Sequence, residues 1–269
     1  AGRVYGENII GEYSKKLIID VGKKYNKRTL FRMRQFYKLF SNEKVSPVVS
    51  QFNQHMTNKV APLVQQLTWS HCLILLPIKD IDKINYYITQ ISERNLSKRQ
   101  LETIIKNKEY ERLDNNTKKK IIINDETNVK DLVKNPILIK SGNYENISEK
   151  ILQRLILEDI PSFLDELGVG FTFIRNEYKI KIGERYNYID LLLYNIKFRC
   201  YVVIELKITE LKKEHIGQIQ TYMNYVDKNL RTIDENKTIG IIIVKKNNKF
   251  IMEYCSDERI ISKEYRLQN

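Results

Sequence analysis

The chain has 269 residues, 42% hydrophobic and 29% charged, which suffices for a buried core and for one large or two ordinary domains. The formal net charge of +13 favours an anionic partner, nucleic acid before an acidic membrane surface, although lysine-rich solvation alone gives the same surplus. No apolar run reaches the ~18 residues of a membrane span, and no membrane association is expected.

Cys72, Cys200 and Cys255 form no CxxC, and His55, His71 and His215 supply no zinc spacing. Reduced core thiols in a cytoplasmic setting are the expectation. The chain begins Ala-Gly rather than Met, which leaves a targeting peptide open.

Residues 1–113 read as a helical N-terminal domain. Ile9, Ile10, Tyr13, Leu17 and Ile18 make a first apolar stripe, and Leu30, Met33, Phe36, Tyr37 and Phe40 a second. Pro47 and Pro62 interrupt the pattern, and LTWSHCLILLPI predicts a buried helix that stops before Pro77. IDKINYYITQISERN is amphipathic, and Ser97 caps a helix carrying Leu101, Ile104 and Ile105. Basic exposed faces suit a DNA-binding bundle, and equally a docking or dimerisation module whose lysines are solvated. His71, next to Trp69 in an apolar helix, reads as a packing residue.

Residues 114–143 are polar and weakly periodic, and are expected to form a linker or irregular connection, with a short strand near Ile121–Ile123. Residues 144–269 read as a second domain. Ser148 caps a helical stripe from Ile151 to Leu167 that ends at Gly168. GFTFI, YKIKI, RYNYIDLLLYN and CYVVIELKI read as strands, Glu210 to Lys228 as a helix, and TIGIIIV as a strand buried on both faces. KFIMEYC is a last strand candidate. This order gives an α/β core with a mixed sheet.

The chemistry concentrates in the third and fourth of those strands. Alternation puts Asp190 on one face with Tyr188 and Leu192, and Glu205 with Val203 and Lys207. A hairpin turn centred between Lys197 and Phe198 sets Asp190 directly opposite Glu205, with Cβ atoms about 5 Å apart. Like charges so placed repel unless a cation lies between them. An oxygen-seeking ion such as Mg²⁺ answers that conflict, with the Leu206 carbonyl as third ligand and Lys207 beside the attacking water. The plainer reading makes Asp190 a strand-end residue and Glu205–Lys207 a surface ion pair. Downstream, Gln218 and Tyr222 stack four apart on one helical face, and Lys212 and Lys213 open that helix as a phosphate holder or a solvated turn.

Asp190, Glu205-Leu206-Lys207, Gln218 and Tyr222 together resemble the PD-(D/E)XK nuclease superfamily, in the branch with Gln-x-x-x-Tyr after the ExK strand. More narrowly, LDELGVGFTFI, YIDLLLYN, VVIELKI and the Gly217-Gln218 helix are similar to the nuclease half of the YhcG-like family, known as DUF1016. LFRMRQFYKLF, LTWSHCLILL and LSKRQLETII resemble its helical first half. The resemblance implies a helical N-terminal domain followed by an α/β domain with a central mixed sheet. It implies a Mg²⁺-dependent phosphodiesterase, Mn²⁺ substituting, that leaves 5′-phosphates. Asp190 and Glu205 match the metal-binding acids, Lys207 the catalytic lysine, and Gln218 and Tyr222 the helix motif beside them. A glutamate from the first helix often joins such sites; Glu158 is the candidate and Glu149 the fallback. Two departures stand out: Arg175-Asn176-Glu177 replaces the usual Gly-Arg-Gln, and Thr209 stands where glycine is common.

The expected activity is hydrolysis of DNA, with RNA open as a substrate and a homo-oligomer or protein partner open through the N-terminal helices. The alternative is a catalytically silent DNA-binding or assembly protein that uses the fold as a scaffold. Retention of both acids and the lysine favours the enzyme.

Overall fold

A computed structural model describes residues 2–40, 63, 66–123, 125–141, 147–255 and 257–268. Pro47, His55, Pro62 and Gly142-Asn143 lie outside the described residues. The chain divides into two compact units, residues 1–110 and 111–269.

The first unit is helical: α1 (Gly2–Asp20), α2 (Lys27–Phe40), α3 (Trp69–Leu75), α4 (Ile81–Arg94) and α5 (Lys98–Lys106). Side-chain caps set the starts. Thr68 accepts the His71 N–H, Asp80 accepts those of Asp82 and Lys83, and Ser97 accepts that of Gln100. His71 is part of a cap, its Nδ1 accepting the Thr68 N–H at 3.3 Å, which fits the packing role. The core gathers Leu75, Ile84, Tyr87, Ile88 and Leu101. The expected α1 stripe is only half right. Tyr13 is 60% exposed, while Ser14 is buried and donates to the Tyr25 carbonyl at 3.1 Å.

The stretch expected as a connection, 114–143, belongs to the second unit. It contains α6 (Asn115–Ile123), α7 (Val129–Leu132) and the strand β1 (Ile137–Lys140). Ile121–Ile123 is therefore helical, not a strand. Arg112 ties this stretch down, donating to both Glu166 oxygens at 2.6 and 3.0 Å and to the Pro136 carbonyl, while the Leu138 N–H also reaches Glu166.

The single helix expected over 151–167 is two: α8 (Glu149–Glu158) and α9 (Ile160–Leu167). Asp159 leaves helical geometry at φ −136°, ψ 55° and caps the Ser162 N–H, and Pro161 follows at the helix start, where it is tolerated. The strands β2 (Phe171–Ile182), β3 (Arg185–Asn195) and β4 (Cys200–Glu210) follow. Then come α10 (Lys213–Asn229), β5 (Asn236–Lys246), α11 (Lys249–Glu253) and β6 (Ile260–Gln268). KFIMEYC is thus the helix α11, started by Asn248, whose side chain accepts the Ile251 N–H.

Among the described residues the sheet runs β1-β6-β5-β4-β3-β2, antiparallel from β2 to β4 and parallel from β4 to β1. This is the mixed α/β sheet expected. Leu191, Leu193, Val202, Ile204, Ile241 and Ile243 pack under α8 and α9; Leu192, Val203, Ile242 and Val244 pack under α10. β5 is accordingly apolar on both faces, as its sequence predicts. Gly240 lets α10 approach closely, because a Cβ there would meet Met223 Sδ at 2.5 Å and Ile219 Cδ1 at 3.0 Å.

Gly168 ends α9 at φ +125°, with its missing Cβ 2.9 Å from Leu132 Cβ. Gly168→Ala meets both backbone strain and a clash, so a loss of about 2–3 kcal/mol in thermal or denaturant unfolding is expected.

Candidate active site

The β3–β4 ladder pairs Asn195 with Cys200, Leu193 with Val202 and, last, Leu191 with Ile204. One step further along the same register, Asp190 faces Glu205. The strands part there, and side chains replace the missing ladder bonds. Asp190 Oδ2 accepts the Leu206 N–H at 2.7 Å, and Gln153 Nε2 of α8 donates to the Asp190 carbonyl at 3.0 Å.

Glu205 is 1% exposed. Its Oε2 accepts from Lys207 Nζ at 3.3 Å, while Oε1 is buried without a hydrogen-bond partner. An unpartnered carboxylate oxygen in the interior is costly. Burial first, and the Asp190 charge second, push the Glu205 carboxyl up to about 8. Burial also raises Asp190, opposed by the Leu206 N–H and by Lys207. Lys207 lies 3.7 Å from Glu149 as well. Burial works against its charge, but Glu205, Asp190 and Glu149 outweigh it and hold the ammonium above its ordinary value. Lys207 is therefore a cation and a donor at neutral pH.

The helix α10 brings Tyr222 within electrostatic reach of this cluster. Gln218 Nε2 donates to the Tyr222 hydroxyl at 3.2 Å. Tyr222 is buried, and after burial its hydroxyl is influenced by Gln218 and by the charges of Glu205, Asp190 and Lys207.

Of the two first-helix glutamates, the fallback is the one at the site. Glu149, in the first turn of α8, touches Lys207. Glu158 closes the other end of α8, nine residues and about 13 Å along the axis. Three neighbours escaped the sequence reading: Gln153, Glu177 and His215. Glu177 falls opposite Asp190 in the β2–β3 register, at φ +46°, and its charge helps raise Asp190. The Arg-Asn-Glu departure was its only signal. His215 accepts the Lys212 N–H on Nδ1 at 3.2 Å. Burial and the nearby Lys207 and Lys212 lower its pKa, so its imidazole is neutral.

The donor set suits a hard cation. No three His, Cys, Asp or Glu side chains among the described residues converge on a metal-sized space, so an ion beside Asp190 and Glu205 would fill its remaining positions from water and backbone oxygen. The Leu206 N–H leaves β4 on the Asp190 side, and a strand residue sends its C=O out by the same edge. The Leu206 carbonyl thus leaves β4 on the side where Asp190 lies.

Residues 129–268 match the profile of the YhcG PDDEXK nuclease domain, and residues 1–112 that of the DUF1016 N-terminal domain. The "Putative nuclease YhcG" of Escherichia coli (strain K12) is 23% identical over 297 aligned residues, covering 100% of this chain and 78% of that protein. Among solved structures, a repair endonuclease from Pyrococcus abyssi is 20% identical at a TM-score of 0.32, covering 48% of this chain and 50% of that one. The EndoMS-dsDNA2 complex gives the same TM-score of 0.32 and identity of 20%, over 48% of this chain and 49% of that one. The matched part is thus about half of each solved chain. With the domain match spanning the whole α8–β6 region that carries Asp190, Glu205 and Lys207, the chain belongs to the YhcG PDDEXK nuclease-domain family.

Proposed function

We propose that the second unit is a metal-dependent nuclease that hydrolyses phosphodiester bonds in DNA, with Mg²⁺ as the ion and Mn²⁺ as a substitute. The observation that carries this is the apposition of Asp190 and Glu205 at a strand gap, with one buried Glu205 oxygen unpartnered and a cationic Lys207 beside it. Asp190, Glu205 and the Leu206 carbonyl would hold the ion. Bound there, it would offset the two carboxylates and polarise the scissile phosphate.

Lys207 acts as a donor. It orients the attacking water and offsets phosphate charge, anchored between Glu205 and Glu149. Gln153 and the Leu206 N–H fix Asp190 from its carbonyl and its carboxylate, so the first acid is preorganised. The Tyr222 hydroxyl takes its hydrogen bond from Gln218 and keeps its own proton to donate to the cluster.

The test is cleavage of duplex, branched and single-stranded DNA, and of RNA, with Mg²⁺ or Mn²⁺ present. No cut of any substrate would remove this reading. Calorimetry showing no acid-dependent Mg²⁺ site would leave the scaffold alternative. Glu149 and Glu158 separate cleanly: Glu149→Ala is expected to slow cleavage roughly 10–100-fold by freeing Lys207, and Glu158→Ala to leave the rate near wild type.

For the first unit we propose a DNA-contacting or docking module, through which a second copy or a protein partner would also bind. Its affinity for DNA across a salt series decides, falling steeply only for a DNA reader. No helix among the described residues is long and apolar enough to cross a membrane. The cytoplasmic setting is part of the same proposal and rests on cysteines that are free thiols, two of them buried.

A further inference from the structure

Beyond Asp190, β3 makes no further pair with β4, yet β2 and β3 continue together. Tyr178–Ile182 pairs with Arg185–Ile189 as a two-stranded ribbon, from Tyr178↔Ile189 to Ile182↔Arg185. Five pairs at ~3.4 Å each give a ribbon about 17 Å long. Its two faces differ. Ile180 and Ile189 are buried and anchor it to the α10 side of the core.

The other face carries Lys179 opposite Tyr188 and Lys181 opposite Tyr186, since directly paired residues share a face. Both tyrosines are more than half exposed, 52% for Tyr188 and 56% for Tyr186. Lys179 Nζ stands 3.8 Å over the Tyr186 ring. Arg185 pairs with Ile182 on the opposite face at the tip, and Glu184 is the one carboxylate between Tyr178 and Ile189. Along β3, Tyr188 is two residues from Asp190, so the strand leads directly from this basic, aromatic face to the first acid of the site.

We infer that this ribbon grips duplex DNA. Its Lys179–Lys181–Tyr186–Tyr188 face enters the major groove and delivers the flanking phosphate backbone to Asp190. The inference rests on the nuclease reading and names the substrate class of that site. Three observations choose the occupant. The charge is complementary to phosphate. A two-stranded ribbon fits the B-form major groove, whereas the A-form major groove of duplex RNA is too deep and narrow for it. And the Lys179 ammonium already covers a face of Tyr186 on which an unpaired base would stack, which disfavours a single-strand platform. Cross-strand Lys–Tyr pairs also stabilise a ribbon without any ligand. The test must therefore read a quantity that folding alone does not move.

That quantity is the salt slope of binding. The full chain, with EDTA present, is titrated into labelled duplex DNA, single-stranded DNA and duplex RNA over a salt series. The combined variant Lys179→Ala, Lys181→Ala is compared with Lys179→Arg, Lys181→Arg. Removing two phosphate contacts lowers the slope of log K against log salt by about 2 and weakens duplex DNA binding roughly tenfold, while the arginine variant keeps the wild-type slope. A wild-type slope in the alanine variant overturns the ribbon's role and leaves the nuclease reading standing. So does tighter binding to single strands, or equal ribbon-dependent binding to duplex RNA. If the wild-type chain neither binds nor cuts any nucleic acid, the nuclease reading fails and this inference falls with it.

Discussion

Glu205→Gln is expected to abolish cleavage, by roughly 10³-fold or more, and at the same time to make the metal-free protein more heat-stable, by an amount that grows with pH. Glutamine keeps the size of the side chain and its hydrogen bond to Lys207 but never ionises. The wild-type carboxyl is buried, faces Asp190, has one unpartnered oxygen, and titrates near 8 in the fold against 4.5 ordinarily. A carboxyl raised in the folded state contributes its stability in full below the unfolded value and loses it as pH rises through the folded one. Near pH 4.5 the two proteins should unfold alike. Above pH 8 the wild type carries the charge and the variant does not.

The difference is on the order of a few kcal/mol, or several degrees in Tm for a chain of this size. Lys207 loses one charged neighbour in the variant, but Asp190 and Glu149 still neutralise it. Scanning calorimetry of both proteins in EDTA from pH 5 to 9 decides. A Tm difference independent of pH, or a variant less stable at pH 9, would mean that Glu205 is a satisfied structural ion pair and not a strained ligand.

Why the chain shows its acids so openly and its other site residues so poorly follows from physical range. Asp190, Glu205 and Lys207 sit in strands whose alternation is local, and the short 196–199 turn transmits the register from one strand to the next. Geometry that depends on a few consecutive residues is legible. Glu149 against Glu158 is not, since both lie on α8 and only the way the helix lies across the sheet decides which end meets Lys207. Gln153 and His215 are ordinary helix residues until a strand from elsewhere passes them.

Long-range pairing also hid β1. Its four residues stand in a polar stretch and are a strand because β6, more than a hundred residues on, offers a parallel edge from Ile137↔Tyr265 onward. The β-branched run Ile121–Ile123 misleads in the opposite sense: it is helical within α6, since strand preference alone is a weak guide. Likewise the Asn248 cap turns KFIMEYC into a helix.

Binding of Mg²⁺ to the wild-type chain should release close to one proton at pH 7. With Glu205 near 8 and Asp190 raised, most molecules at pH 7 hold a proton on this pair that has to leave before both carboxylates can ligate. The apparent affinity should therefore climb about tenfold per pH unit up to pH 8 and flatten above it, roughly 10²-fold in all from pH 6 to 8. An unperturbed pair of carboxylates would give a flat response over the same range. Calorimetry in two buffers of different ionisation enthalpy reads the proton count directly, with no cleavage needed. Glu205→Gln should lose both the affinity and the released proton. Lys207→Ala should leave the proton release in place while cleavage falls, because the role proposed for the ammonium is to handle the water and the phosphate and not to ligate the ion. A wild-type affinity that is flat between pH 6 and 8 would mean that Glu205 is already ionised when the ion arrives. The strain inferred from its buried, unpartnered oxygen would then not be what binding relieves.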